Sequence, residues 1–425
     1  MSRARNATRT GPMAVAGFRL LVVGQFASML GDYCYAVALP WLVLGGSGGT
    51  TLLGTVLACY GIPRAVTIPL GGMLADRYGG RQVMLAADAV RAVCSAALVV
   101  TAAAGEPSLA QLAPIAAVLG ASSGVFLPAS YTLLPAILPA EQLGRGNALS
   151  AMANQFGGVL GPFAGGLLVA GWGPAAALAV DAVSFILSAA VLLALRPPAG
   201  AGQAEDGEAA GPAGGPSFGE VLRRGRLLHV VLVVALVCNL AFTGTMEVAL
   251  PDLAHQDLGA AGYGALLTVL SVGSLIGSAV AGRARTDQRP ARLFALLAVV
   301  MGIGLAGAPY AGGLLGAGVC LAVYSIASGW QNIVVITMIQ TWTPAALLGR
   351  VMSMVMLAVT GSFPVSVAVA GLAVHRLGPA PFFPVAGVTI ALAVTAALSQ
   401  RAFREHRAGQ TYGAGELTVT HSAVG

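Results

Sequence analysis

The chain has 425 residues, of which 57% are hydrophobic and only 9% charged, with a formal net charge of +6. Soluble proteins carry about 25% charged residues, so this composition cannot build an ordinary water-facing surface, and the chain reads as a membrane protein. At about 20 apolar residues per crossing, its length accommodates roughly twelve helices and excludes a single anchor on a large soluble domain.

All 22 basic residues are Arg. Without Lys, neither a P-loop nor a Schiff-base enzyme can be assembled, and codon bias toward Arg, Ala and Gly accounts for the absence without a functional cause. The Arg residues are scattered among loops with no aromatic-basic patch, so nucleic acid is not an expected partner. Cys34, Cys59, Cys94, Cys238 and Cys320 fall inside apolar stretches and read as packing residues. His229, His255, His375, His406 and His421 lie at helix edges, in loops or in the tail. No metal site and no cofactor are therefore expected.

Apolar runs bounded by Gly, Pro and charge place helices over 18–44, 51–75, 82–104, 109–135, 148–170 and 174–195. A second set follows over 228–251, 263–282, 291–311, 313–339, 351–374 and 380–400. An even number of crossings puts both termini on one side. The loops of that side carry Arg3 to Arg19, Arg77, Arg81, Arg145, Arg196 to Arg226, Arg283 to Arg292, Arg350 and Arg401 to Arg407, whereas Arg376 alone lies opposite. The positive-inside rule assigns that side to the cytoplasm.

The expected organisation is a cytoplasmic tail (1–17), a six-helix bundle (18–195), a flexible Gly/Pro/Ala-rich linker (196–227), a second six-helix bundle (228–400) and a cytoplasmic tail (401–425). Within the linker, Phe218, Val221 and Leu222 with Arg223, Arg224 and Arg226 fit a short interfacial helix. The stretch Pro139-Ala140-Glu141-Gln142-Leu143-Gly144-Arg145 recurs as Pro344-Ala345-Ala346-Leu347-Leu348-Gly349-Arg350 at the matching place in the second half. The two halves therefore read as a duplicated pair.

The loop after the second helix reads Gly72-Met73-Leu74-Ala75-Asp76-Arg77-Tyr78-Gly79-Gly80-Arg81. Here the chain resembles the major facilitator superfamily, whose signature at this point is G-x-L-x-D-R-x-G-[RK]-[RK]; Gly80 departs from it where a basic residue is usual. The physics suits a gate: Gly72 permits close helix contact, and Asp76 can dock against a helix N-terminus of the other half. The matching stretch Gly277 to Arg285 keeps the basic residues and lacks the Asp. On the fifth helix, Gly157, Gly161, Pro162, Gly165 and Gly166 match the G-x-x-x-G-P-x-x-G-G pattern that the family carries in many proton-coupled exporters. A finer resemblance, through Gly31-Asp32, Asp88 with Arg91, Glu141, Asn147 and Asp181 with Ser184-Phe185, points to the branch of bacterial macrolide-efflux and enterobactin-export proteins. The fourth-helix Arg of the family's drug/proton antiporters is missing. The resemblance implies an all-α membrane protein of twelve helices in two pseudo-symmetric six-helix bundles, working as a monomer in a bacterial inner membrane.

Ionisable residues inside a bilayer are costly and mark function. Asp32 and Arg64 fall at similar depth on the first two helices and read either as a neutralising pair or as a proton-titrated site. Asp88 and Arg91, spaced i, i+3, read as a salt bridge supporting the cytoplasmic gate together with Arg145 and Arg350. Asp181 reads as structural. Gln25, Ser28 and Asp32 form a polar stripe on the first helix, and Asn239, Thr243 and Glu247 form one on the seventh. In the resembled family such stripes face a central substrate cavity, to which Phe126, Trp330, Gln331 and Asn332 are further candidates. Interhelical hydrogen bonding and apolar packing are the plainer readings.

Matches to a nucleophile elbow at Gly45 to Gly49 and a dinucleotide fingerprint at Gly302 to Gly307 lack the strand-turn-helix context their chemistry needs. The expected function is export of a small amphipathic compound in exchange for protons, with Asp32, Arg64 and Glu247 in the coupling machinery. A metabolite importer or uniporter, a membrane-embedded enzyme and a non-transporting receptor of the same fold are the alternatives.

Overall fold

The structure is a computed structural model that describes residues 11–195, 219, 222–223, 225–283, 290–343 and 347–400. The tail residues 1–10 and 401–425, and most of the linker with its expected interfacial helix, lie outside the described residues. So do Arg196, Arg224, Arg285, Arg289 and the repeat residues Pro344, Ala345 and Ala346.

Among the described residues the chain forms twelve long helices. The first six are α1 (Ala16–Leu44), α2 (Gly49–Tyr78), α3 (Gly80–Ala104), α4 (Leu109–Ile137), α5 (Leu143–Trp172) and α6 (Pro174–Ala194). They are followed by α7 (Arg226–Asp257), α8 (Gly259–Arg283), α9 (Pro290–Gly307), α10 (Gly313–Trp342), α11 (Leu348–Gly361 continuing as Phe363–Leu377) and α12 (Phe382–Ser399). Ten are long and apolar enough to cross a membrane. The exceptions are α5, whose many glycines lower its hydropathy, and α9, whose apolar run Arg292–Gly307 is short.

The helices end where the sequence supplies a reason. Gly79, at φ +83°, stops α2 in a left-handed conformation closed to side chains. A capping box between Ser108 and Gln111 opens α4, and Pro174 opens α6 at a position where its missing N–H costs nothing. The largest departure from expectation is α7, which runs six residues past the expected 251. It does so through a π turn at Thr245–Ala249, so that its polar end Asp252 to Asp257 remains helical.

Two compact units emerge. The first contains α1 to α6 with Leu250–Thr268 and Val367–Leu377; the second contains the rest of α7, α8 and α11 with α9, α10 and α12. In the first, α1 packs on α5 and α6, α2 on α4, and α3 on α4 and α6. The same order recurs in the second: α7 packs on α11 and α12, α8 on α10, and α9 on α10 and α12. This recurrence is what a duplicated sequence produces. Large apolar side chains such as Val66, Val93 and Leu315 are exposed, as hydrocarbon solvent requires.

Helices in lipid gain no hydrophobic drive to associate and rely on close backbone contact. A Cβ on Gly120 or Gly124 of α4 would collide with the carbonyl oxygens of Tyr60 and Arg64 on α2. A Cβ on Gly71 would lie 2.5 Å from the Val125 carbonyl oxygen. Gly72, expected to be the contact residue, corrects that expectation: nothing lies within 4 Å of a Cβ there. The neighbouring glycine, a rotation of 100° away, faces α4 instead.

Gly120→Val should therefore force α2 from α4 and destabilise the protein by about 1–3 kcal/mol or more, read as a lowered thermal midpoint of detergent-solubilised protein. Gly72→Ala should leave the midpoint unchanged or raise it, because Ala is the better helix former.

Candidate functional site

The signature loop supplies its charges in different ways. Asp76 and Arg77 are exposed, with the Arg77 guanidinium 5.2 Å from the Tyr78 ring centroid. Arg81 is a cap: its Nε donates to the Leu192 carbonyl at 2.6 Å and its guanidinium to Leu193 at 3.0 Å. These are the orphan carbonyls at the end of α6, where a cation also complements the helix dipole. Arg145 and Arg350 are exposed.

On α5, Gly157, Gly161 and Gly165 present one small-residue face to α1. Cβ atoms there would sit 2.7 Å from Met29 Cβ, 2.6 Å from Tyr33 Cβ and 2.9 Å from Cys34 Cα. Gly166 instead faces α8, where a Cβ would lie 3.0 Å from Gly264 Cα. Pro162 interrupts the α5 ladder between these two faces.

Deep in the first unit the structure brings together residues that the sequence reading kept apart. Asp88 is fully buried and Arg91 is 4% exposed. The two form an ion pair within α3, and the Ser188 hydroxyl on α6 donates to Asp88 Oδ2 at 2.6 Å. The Arg91 guanidinium is held between two rings, 4.0 Å from the Phe126 centroid on α4 and 4.4 Å from that of Phe185 on α6. Two helical turns along, the contact repeats in reverse: Ser95 on α3 donates to Asp181 Oδ2 on α6 at 2.7 Å. Antiparallel α3 and α6 thus exchange two Asp–Ser hydrogen bonds about 10 Å apart at 1.5 Å per residue. The Asp88–Arg91 pair is consequently part of a buried core.

Asp32 enters this cluster from α1. It is half-buried, next to Gly31, which packs against Ser184 and Asp181: a Cβ on Gly31 would lie 3.1 Å from Asp181 Oδ1. The expected Asp32–Arg64 ion pair is not formed. The charged groups around Asp32 are Arg91, Asp88 and Arg64. Arg64 has its Nε buried without a partner and its guanidinium 5.8 Å from the Tyr60 ring centroid. The reason is topological: α2 packs on α4 and barely on α1, so equal depth does not bring the two side chains into an ion pair.

The cavity candidates divide. Gln25 keeps a buried Oε1 without a partner. Ser28 is buried on the face that Gly24 and Gly31 turn toward α6, and Phe126 belongs to the Arg91 cage. Asn239 donates back to the Ala235 carbonyl of its own helix at 2.9 Å, and Thr243 is half-buried. Glu247 is half-buried at the centre of the π turn, a distortion frequent at functional sites. On α10, Trp330 is half-buried, Gln331 is buried with an unpartnered Oε1, and Asn332 is exposed, so the three do not share one environment. Sequence reading missed Ser95 and Ser188, although their i+4 and i+7 spacing from Arg91 and Asp181 was available as a signal.

Arg91→Met should strand the Asp88 charge and cost about 3–5 kcal/mol, read as a lowered thermal midpoint. Adding Asp88→Asn should recover most of that loss, because the pair is then removed together.

Comparisons with known proteins agree with this architecture. The family model described as Major Facilitator Superfamily matches residues 21–328. The chain is 30% identical over 347 residues to proteins named enterobactin exporter EntS from Shigella boydii serotype 4 and Escherichia coli O6:K15:H31, covering 79% of each chain. Solved structures share the fold at low identity. The nucleoside transporter NupG superposes with a TM-score of 0.72 at 12% identity, over 90% of this chain and 98% of that one. The inward-open xylose transporter XylE from E. coli gives 0.69 at 14%, over 94% and 98%. The chain belongs to the Major Facilitator Superfamily and is a multi-pass membrane transporter, not an enzyme.

Proposed function

We propose that this transporter exports a small amphipathic compound, of the drug, siderophore or secondary-metabolite class, in exchange for protons by alternating access. It would act as a monomer in a bacterial inner membrane with both termini in the cytoplasm. The observation that carries the reading is the intramembrane cluster around Asp32. A carboxylate half-buried beside Arg91 and Asp88 gains or loses a charge when a proton binds, and that change alters its attraction to both Arg91 and Arg64. A proton with different affinity for two conformations shifts their populations, which is what coupling to a gradient requires. Export rather than import is supported by the relatives that align over 79% of their length, which are named enterobactin exporters. Glu247, at the π turn of α7, is the second candidate for coupling.

The gate follows from the same chemistry. At the end of the first unit where α1 stops and α2 begins, Thr50 donates to the Gly371 carbonyl at 3.2 Å, and a Cβ on Gly54 would lie 2.8 Å from Gly371 Cα. Trp41 stacks on Tyr263 at 5.5 Å and meets His255 at 5.3 Å. These contacts form the outer latch, and Asp76, Arg77 and Arg81 of the signature loop serve the cytoplasmic one.

In everted vesicles from a host stripped of its own exporters, acidification of the lumen should drive uptake of enterobactin or of members of an amphipathic dye panel. Asp32→Asn should abolish the driven component. Unchanged uptake would remove Asp32 from the coupling machinery, and accumulation indifferent to collapse of the gradient would make the protein a uniporter.

A further inference from the structure

The buried cluster of the first unit holds three acids, Asp32, Asp88 and Asp181, and two bases, Arg64 and Arg91. Fully ionised, it would carry a net negative charge inside hydrocarbon, a costly arrangement, and a single proton makes it neutral. The hydrogen bonds distinguish the acids. Asp88 is fully engaged, with Arg91 on one oxygen and Ser188 on the other. Asp181 is 1% exposed; its Oδ2 accepts from Ser95, and its Oδ1 is buried with no donor. Ser184, the nearest further hydroxyl, is committed to the Asp181 backbone carbonyl at 2.8 Å. The orphan oxygen faces Gly31, the residue before Asp32.

We propose that Asp181 is the second seat of the exchanged proton: the proton resides on Asp32 or on Asp181, and the two carboxyl groups share it as one site. The inference rests on the reading of Asp32 as proton carrier and extends it. In the transfer, one carboxylic O–H breaks and another forms, no electrons are exchanged, and the negative charge moves in the opposite direction. The groups facing Asp181 are Asp32 and Cys34 from α1, and Arg91 and Ser95 from α3. Helix α5 contributes no titratable group here, its one charged residue, Arg145, lying in its first turn. Gly31 is what lets the two carboxyls approach, since a Cβ there would collide with Ser184.

The test needs no transported substrate. Infrared difference spectra of the reconstituted protein, recorded as the pH is raised, should show the carbonyl stretch of one protonated carboxyl group vanish. Asp181→Glu, which keeps the charge and spares the fold, should move that band, and so should Asp32→Glu. Asp32→Asn and Asp181→Asn each remove one acid and leave the cluster neutral with no bound proton, so each should lose the band. A band that is lost in Asp32→Asn and does not move in Asp181→Glu would overturn the sharing and leave Asp32 the sole carrier. A band lost in Asp181→Asn alone would overturn both the sharing and the role of Asp32, as would a wild-type spectrum with no titrating carboxyl.

Discussion

A charge inside hydrocarbon must be neutralised by its own protein, and the ion pair of Asp88 with Arg91 is where this chain meets that demand. The two residues sit on one helix, so the pair can form before any neighbour arrives. Its consequences reach further because Arg91 is also held between Phe126 of α4 and Phe185 of α6, while Asp88 accepts from Ser188 of α6. Those contacts fix the rotation of α3 against α6. With rotation and register set, Ser95 falls opposite Asp181, and Asp181 is left with one oxygen turned toward α1. The position of the candidate proton site is thus a consequence of how the ion pair is packed.

The second dependence is on missing side chains. Charged and polar groups can meet in the membrane only if backbones approach closely enough for short side chains such as Asp and Ser to span the gap. Glycine provides that approach on α4 against α2 and on α5 against α1. Gly31 joins the two requirements: it is a packing glycine against Ser184, and it brings the backbone beside Asp32 close to the Asp181 carboxyl. A family of small-residue stripes therefore does more than hold helices together, because it determines which buried charges can sense one another.

Where the long apolar helices lie was legible in the sequence, since hydropathy and the Gly, Pro and charge signals that bound a helix are local. The family, too, was legible, carried by Gly72 through Arg81 and by the α5 glycines. What local patterns leave open is the azimuth of each helix and the identity of its neighbour. Depth paired Asp32 with Arg64, yet α1 packs on α5 and α6 while α2 turns to α4. The same ambiguity put the close contact on Gly72 when Gly71 makes it. Asp88, Arg91 and Asp181 were each recognised as costly, but their union depended on a register between α3 and α6 that only tertiary packing sets. Ser95 and Ser188 drew no notice because an intramembrane serine usually bonds back to its own helix.

The same physics explains why α7 could not be read to its end. In lipid a helix can open its ladder only where another group satisfies the freed amide and carbonyl. Ser366 of α11 does so: its hydroxyl accepts from the Gly244 N–H at 2.7 Å and donates to the Leu240 carbonyl at 2.6 Å. The side chain is thereby inserted between the two partners of an i, i+4 backbone bond, immediately before the π turn at Thr245–Ala249. Both helices change unit at this level, α7 after Ala249 and α11 after Ser366. A ladder already opened at this point, with its groups held by one hydroxyl, can bend without leaving a backbone group unpaired in hydrocarbon. That is the property a helix whose two ends belong to different units needs if it is to bend at this point.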